Sequence, residues 1–313
     1  MRWGDRSSGR HQFLAWIHQQ HGAILSTTVM IPSEIYLERM LSIAREGGSI
    51  ALELIEHSDP GLKKDHSIIT LADKAISKLA RDRLADFLQK PGHVLIDEET
   101  PGINDNPEQK WLEQTPFIWV LDPIDGTRLY ANRMPLFGIS IGLIKDLKPW
   151  LGVVYFPMLK ELFYCDGIEA YFVKDAFGPN ETKHRIVPVD EELSARSLFF
   201  CNDTFFDKFY WNDKDFHIMI HACAVVNLCW PTISRGVGCF LRCHLWDFAG
   251  SWPIIRKAGI DLRRISDGKI MDRVDVDLFD HGAARWHMKE YYLISSELNY
   301  QKILSKIGRR SPC

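Results

Sequence analysis

A helical period early in the chain, a run of short apolar strands after residue 93, and alternating strand and helix beyond about residue 187 predict an α/β or α+β protein with layered sheets. The 313 residues are 46% hydrophobic and 25% charged, ordinary for a globular protein and too apolar for a disordered one. That length accommodates one large domain or two lobes sharing a cleft. A net charge of −3 without any Lys/Arg run argues against nucleic acid as a partner, and no apolar run approaches the length of a membrane span.

The elements follow in order. Ser33 caps a helix running to about His57, with Ile35, Leu37, Met40, Leu41, Ala44, Ile50, Ala51, Leu54 and Ile55 at helical spacing, weakened in the middle by Gly47 and Gly48. A polar break, HSDPGLKKDHS, leads to a second helix starting near Thr70 or Asp73, with Ile76, Leu79, Ala80, Leu84, Phe87 and Leu88 on one face. HVLI (93–96) and FIWVL (117–121) read as short strands that run directly into acidic residues, and FGISIGLI (137–144), PWLGVVYFP (149–157) and ELFYC (161–165) continue the sheet. The aromatic segment FFDKFYW (205–211) reads as packing, and VGCFL (237–241) as another strand. The first thirty residues set Arg2, Arg6, Arg10, Ser7 and Ser8 around the single acid Asp5, ahead of FLAWI (13–17). They are either a transit-like segment or a flexible extension upstream of a start at Met30.

Seven cysteines, at 165, 201, 223, 229, 239, 243 and 313, form no Cys-x-x-Cys pair, which fits free thiols in a reducing, cytoplasmic compartment. Cys239, Cys243 and His244 approach a zinc set but lack further ligands at suitable spacing, so they read as buried packing.

The chemistry lies in the acids at strand ends. Asp97, Glu98 and Glu99 follow one strand, and Asp122-Pro123-Ile124-Asp125-Gly126-Thr127 closes the next. Pro123 interrupts the ladder and turns the chain away, so that Asp122 and Asp125 point into one space with the Ile124 carbonyl between them. Two carboxylates and a carbonyl within four residues suit a hard divalent cation. Gly126 lets the backbone pass close to a ligand, and Thr127 opens a helix or turn whose N–H groups can hold an anion. Far downstream, Trp246-Asp247-Phe248-Ala249-Gly250 places another carboxylate after an apolar strand. Carboxylates that cluster repel one another unless a cation joins them.

The segment WVLDPIDGTRLYANRMPLFGISIGL (119–143) closely resembles the central signature of the inositol monophosphatase family. IDEET (96–100) resembles that family's Glu-Glu motif, LWDFAG (245–250) its Trp-Asp motif, ITLADKAI (69–76) its early Thr-x-x-Asp segment, and GVVYFP (152–157) its following strand. The matches fall in family order over roughly residues 33 to 306. The resemblance implies a five-layered αβαβα sandwich with an α+β first half (31–187), an α/β second half (188–313), and a site between them. It implies an Mg²⁺-dependent hydrolase that cleaves a small phosphate monoester, a sugar or polyol phosphate, with a metal-activated water, commonly as a homodimer. One ion would be held by Glu98, Asp122 and the Ile124 carbonyl, a second by Asp122, Asp125 and Asp247, and a weaker third by Glu98. Thr127, with Asp73 and Glu98, would orient the attacking water, and the N–H groups of Gly126 and Thr127 would hold the phosphate.

Substrate choice is more open. The family's inositol-specific members carry a glutamate shortly before the Trp-Asp motif, whereas CFLRCHLWD (239–247) has no acid before Asp247 and places Arg242 there. Arg128, PLFG (135–138) and Pro253 resemble the histidinol-phosphatase branch, which uses an acid for its cationic substrate; none is evident here. Arg242 favours a second phosphate, as in enzymes acting on 3′-phosphoadenosine 5′-phosphate, or else is a solvated residue without substrate contact. A non-catalytic phosphate-binding or scaffolding relative would require a decayed ligand set, and this one is intact. Pro253 leaves two arrangements open: a helix from Asp247 kinked by the proline, or a helix capped by Ser251 with Asp247 in a loop.

Overall fold

The helix that opens the fold tolerates two mid-helix glycines because it lies directly on a sheet. In the computed structural model, α1 (Ser33–Leu54) continues into a 3-10 turn at Ile55–His57. A Cβ at Gly48 would come within 2.4 Å of the Tyr155 ring, so the propensity lost there is exchanged for close packing. The structure describes residues 32–57, 61–62, 68–100, 108–202, 204–212, 216–281 and 285–310. The expected N-terminal extension, residues 1–30, lies outside them.

Helix α2 (Leu71–Leu88) settles the start left open between Thr70 and Asp73. Thr70 is the cap, its hydroxyl accepting from the Asp73 N–H while the Asp73 carboxylate accepts from the Thr70 N–H at 2.7 Å.

Seven strands form the larger sheet: β1 (His93–Asp97), β2 (Phe117–Asp125), β3 (Gly138–Lys145), β4 (Lys148–Phe156), β5 (Glu161–Cys165), β6 (Ala170–Lys174) and β7 (Thr182–Ile186), side by side in chain order. Only β1 and β2 pair in parallel; the later neighbours are antiparallel. The second sheet has β8 (Leu198–Cys201), β9 (His217–Ile220), β10 (Gly238–Leu241), β11 (Ile260–Arg264) and β12 (Tyr292–Ser296), in the order β9-β8-β10-β12-β11.

Helices α1 and α2 cover one face of the large sheet. Between the sheets lie α4 (Ala224–Cys229), α5 (Leu245–Ala249) and α6 (Trp252–Lys257), packed among Val154, Phe156, Cys239, Leu241 and Ile294. Helix α7 (Glu297–Leu304) covers the far face of the second sheet with Tyr300 and Ile303 against Phe199, Phe240 and Leu293. The result is the expected five-layered αβαβα sandwich. FFDKFYW is a helical turn (Phe205–Lys208) followed by a short strand (Phe209–Trp211), with Phe205 and Phe209 buried against Phe240 as packing. Among the described residues, no helix is long and apolar enough to cross a membrane.

Two local expectations are corrected. Pro123 does not turn the chain out of the sheet. Strand β2 runs on to Asp125, with Asp122 opposite Ser140 and Asp125 opposite Gly138, so Pro123 and Ile124 bulge against the single residue Ile139. Of the two arrangements left open at Pro253, the helix capped by Ser251 is the one present, but Asp247 is not in a loop. It sits in the short helix α5, and the chain restarts after Gly250 with Ser251 as the cap of α6 and Pro253 in that helix's first turn.

Candidate metal centre

The bulge in β2 is what aims two carboxylates together. An ordinary strand alternates faces, and the extra residue between Asp122 and Asp125 breaks that alternation. The third carboxylate arrives from the middle layer. Helix α5 can lie against the large sheet because Gly142 on β3 has no side chain; a Cβ there would come within 2.6 Å of the Ala249 backbone. Gly152 on β4 is tighter still, its Cβ falling 2.1 Å from the Gly250 carbonyl oxygen. These glycines bring Asp247 down onto the bulge.

Asp122, Asp125 and Asp247 each offer an oxygen within 4.8 Å of the others, and among the described residues no other group of three or more histidine, cysteine or carboxylate side chains gathers so closely. Cys239, Cys243 and His244 therefore form no such set, and Cys239 and Cys243 are buried as expected. Asp122 is 2% exposed, and its Oδ1 is buried without a hydrogen-bond donor. Burial first, then the neighbouring charges of Glu98, Asp125, Asp247 and Asp73, hold the Asp122 pKa well above the carboxylate range. Asp125 is pushed up to about 7, again mainly by burial and then by Asp247. A dense, buried set of hard oxygen donors with an orphaned oxygen is the chemistry a divalent cation satisfies, so these residues fit one.

Partners that the sequence did not reveal orient this set. Asp125 Oδ2 accepts from the Val225 N–H at 2.5 Å and from the Cys223 thiol at 3.2 Å, both from the start of α4. Asp247 Oδ2 accepts from the His244 N–H at 2.8 Å, closing the cap of its own helix. Gly126 adopts φ 88°, a left-handed conformation, where a Cβ would also press the Leu136 carbonyl oxygen at 3.0 Å. It leads into the short helix α3 (Thr127–Ala131), pinned to α1 by the Tyr130 hydroxyl donating to the Ala51 carbonyl at 2.8 Å. The Thr127 hydroxyl donates to the Ile124 carbonyl at 2.9 Å, joining two of the residues singled out from the sequence.

The remaining site residues border this centre. Glu98 and Asp73 both act on the charge of Asp122, but neither belongs to the tight group of three. Asp73 spends Oδ2 on the cap of α2. Asp97 is structural: it is 2% exposed, accepts from Ser77, and pairs with Arg81 at 2.5 Å. Beside the centre, a cavity of about 210 Å³ is lined by Asp125, Asp247, Arg242, His221, His244 and His287 among others. Arg242 is held there by the Met288 carbonyl at 2.8 Å and by Asp280 at 3.5 Å. The pKa values of His221 and His287 are lowered chiefly by burial.

Comparison with known proteins agrees with this geometry. A fructose-1,6-bisphosphatase/inositol-1-monophosphatase of Aquifex aeolicus is 27% identical over 72% of this chain and 83% of the relative. A 3′(2′),5′-bisphosphate nucleotidase CysQ of Aggregatibacter actinomycetemcomitans is 30% identical over 71% of this chain and 82% of the relative. The solved inositol monophosphatase of Thermotoga maritima has the same fold, with a TM-score of 0.63 at 20% identity, covering 86% of this chain and 95% of that one. The model of the inositol monophosphatase family matches residues 37–309, and with its motifs in order around one carboxylate centre, the chain belongs to that family.

Proposed function

We propose that this chain is an Mg²⁺-dependent phosphatase that hydrolyses a small phosphate monoester by direct attack of water. One observation carries the reading: Asp247, far downstream in the sequence, brings a carboxylate oxygen within 4.8 Å of those of Asp122 and Asp125. Asp122, Asp125 and Asp247 would hold one ion, and Glu98 with Asp122 and the Ile124 carbonyl a second, with Glu98 also serving a weaker third. Bound Mg²⁺ supplies Lewis-acid neutralisation of the phosphate oxygens.

The chain's own groups do the rest. Thr127, its hydroxyl proton committed to the Ile124 carbonyl, keeps its oxygen lone pairs for a water proton. Glu98 and Asp73 border Asp122 and are the acids that would take up that proton. The N–H groups of Gly126 and Thr127 would bind the phosphate. We also read lobes at 31–187 and 188–313, one for each large sheet, with the homodimer and cytoplasmic location implied by the resemblance.

The substrate reading favours a molecule with a second anionic group. Arg242 lines the cavity beside Asp125 and Asp247, and these two aspartates are its only lining acids among the described residues. Beyond these two metal-holding aspartates a polyol has no carboxylate acceptor among the described lining residues, and the amine of histidinol phosphate would face a guanidinium. The relative named as a 3′(2′),5′-bisphosphate nucleotidase supports the same choice, while the one named as a fructose-1,6-bisphosphatase/inositol-1-monophosphatase is compatible with both. Asp122→Asn and Asp247→Asn are expected to abolish Mg²⁺-dependent phosphate release while circular dichroism stays native. Near wild-type turnover in either variant would overturn the assignment.

A further inference from the structure

We infer that Arg285 is a positioning residue for this reaction, one that locks Glu98 in register with the helix carrying Asp247. The inference rests on the phosphatase reading and extends it to a residue outside every motif. Arg285 Nη2 donates to the Glu98 carbonyl at 2.8 Å and to the Asp97 carbonyl at 3.3 Å. Its guanidinium lies 4.8 Å from the centroid of the Trp246 ring. Trp246 is 5% exposed and stacks on His244 with centroids 4.5 Å apart and planes at 6°. His244 in turn gives its N–H to Asp247. A continuous chain of contacts therefore runs from the backbone of Glu98 to the carboxylate of Asp247.

The Glu98 main chain is held from two sides. Its N–H donates to the Leu121 carbonyl at 3.2 Å, one residue before Asp122, which prolongs the β1–β2 ladder. Its carbonyl is taken by Arg285, which belongs to the part of the chain between β11 and β12 of the second sheet. Strand β1 ends at Asp97, so the ladder alone fixes only one edge of the peptide. Charge is a smaller part of the case than geometry. One guanidinium nitrogen reaches both carbonyls while the group lies over a ring face, which suits it to orienting more than to neutralising. Groups that orient metal-binding side chains are worth about 10- to 100-fold in metal affinity or activity.

The test uses the full chain with Arg285→Ala, Arg285→Lys, Trp246→Leu and the Arg285→Ala/Trp246→Leu double variant. Mn²⁺ alone is titrated by electron paramagnetic resonance, and kcat and KM are measured with fructose 1,6-bisphosphate. Arg285→Ala is expected to weaken Mn²⁺ binding and lower kcat by about 10- to 100-fold with KM within about threefold, and lysine to restore part of both. Trp246→Leu is expected to do the same, the double variant being little worse than either single change. Should Arg285→Ala fail to fold, the lysine variant and Trp246→Leu decide. Unchanged Mn²⁺ binding and kcat in Arg285→Ala, with only a lower melting temperature, would make Arg285 a plain structural contact. Additive effects in the double variant would also overturn the linkage. A wild-type chain that binds no Mn²⁺ and releases no phosphate would remove the phosphatase reading itself, and this inference with it.

Discussion

Stripping divalent ions should leave a protein that loses stability as pH rises from about 4 to 7, the reverse of ordinary acid denaturation. Asp125 moves from its usual 3.8 to about 7 on folding, because burial and the Asp247 charge penalise its carboxylate. The folded state therefore binds more protons than the unfolded state between those values. The stabilisation is fully present below the unfolded pKa and is lost as pH rises through the folded one. At about 1.4 kcal/mol per pH unit the Asp125 contribution is on the order of 4 kcal/mol. Asp122 adds to it with the same sign. For a chain of this size about 2 °C accompanies each kcal/mol, so the melting temperature of the EDTA-treated protein should fall by roughly 8 °C. His93, His221 and His287, whose pKa values are lowered chiefly by desolvation, act in the opposite direction. Asp125→Asn removes the Asp125 contribution and, because the Asp125 charge helps raise Asp122, part of the Asp122 contribution with it. Saturating Mg²⁺, binding the ionised form, should restore stability at pH 7.5 by about 3 kcal/mol at one hundred times its Kd. The assay is a melting curve at each pH, with and without Mg²⁺, for both proteins. A wild-type pH profile that matches Asp125→Asn, together with no response to Mg²⁺, would refute the reasoning.

Three further outcomes are expected. Gly142→Ala places a methyl group against the Ala249 backbone, so α5 must shift; stability should fall by about 1–3 kcal/mol and turnover by more than the unfolded fraction explains, as read by thermal melts and phosphate release. Arg242→Ala should lower kcat/KM for 3′-phosphoadenosine 5′-phosphate or fructose 1,6-bisphosphate by 10-fold or more while changing inositol 1-phosphate little, and a uniform loss across the panel would remove Arg242 from substrate choice. Thr127→Ser should keep most of the turnover and Thr127→Ala lose it, because only the hydroxyl links to the Ile124 carbonyl.

The metal centre was legible in the sequence because its parts are side chains of unusual type at the ends of apolar strands. Asp122 and Asp125 stand three residues apart after FIWVL, and Asp247 follows its own strand. What closes the centre was hidden for a physical reason. Val225 contributes only its backbone N–H, a group every non-proline residue carries, and Cys223 reads as one more apolar thiol. Arg285 sits in a polar stretch where an arginine is commonplace. The errors around Pro123 and Asp247 share a cause. Proline restricts the local backbone, but whether a strand bulges or ends, and whether one helix becomes two, depends on the surface it packs against. Ile139 opposite the β2 bulge, and the glycines beneath α5, made those decisions.

The same glycines explain how a centre this unfavourable persists. Without a cation, buried carboxylates repel one another, and a loosely packed site would relieve that repulsion by moving apart. Here Asp122 and Asp125 are fixed in a seven-stranded sheet, and Asp247 is fixed in a helix that Gly142 and Gly152 admit to within contact of that sheet. Asp122 and Asp125 therefore hold protons more readily instead of separating: burial first, and the neighbouring charges second, raise the pKa of both. Asp122, Asp125 and Asp247 would hold a divalent cation as a set already in place, giving up the protons of Asp122 and Asp125 with little backbone reorganisation. Enlarging the site, as Gly142→Ala would, removes the repulsion and the affinity together: the pH dependence of the metal-free protein should flatten in the same variant whose Mg²⁺ requirement rises.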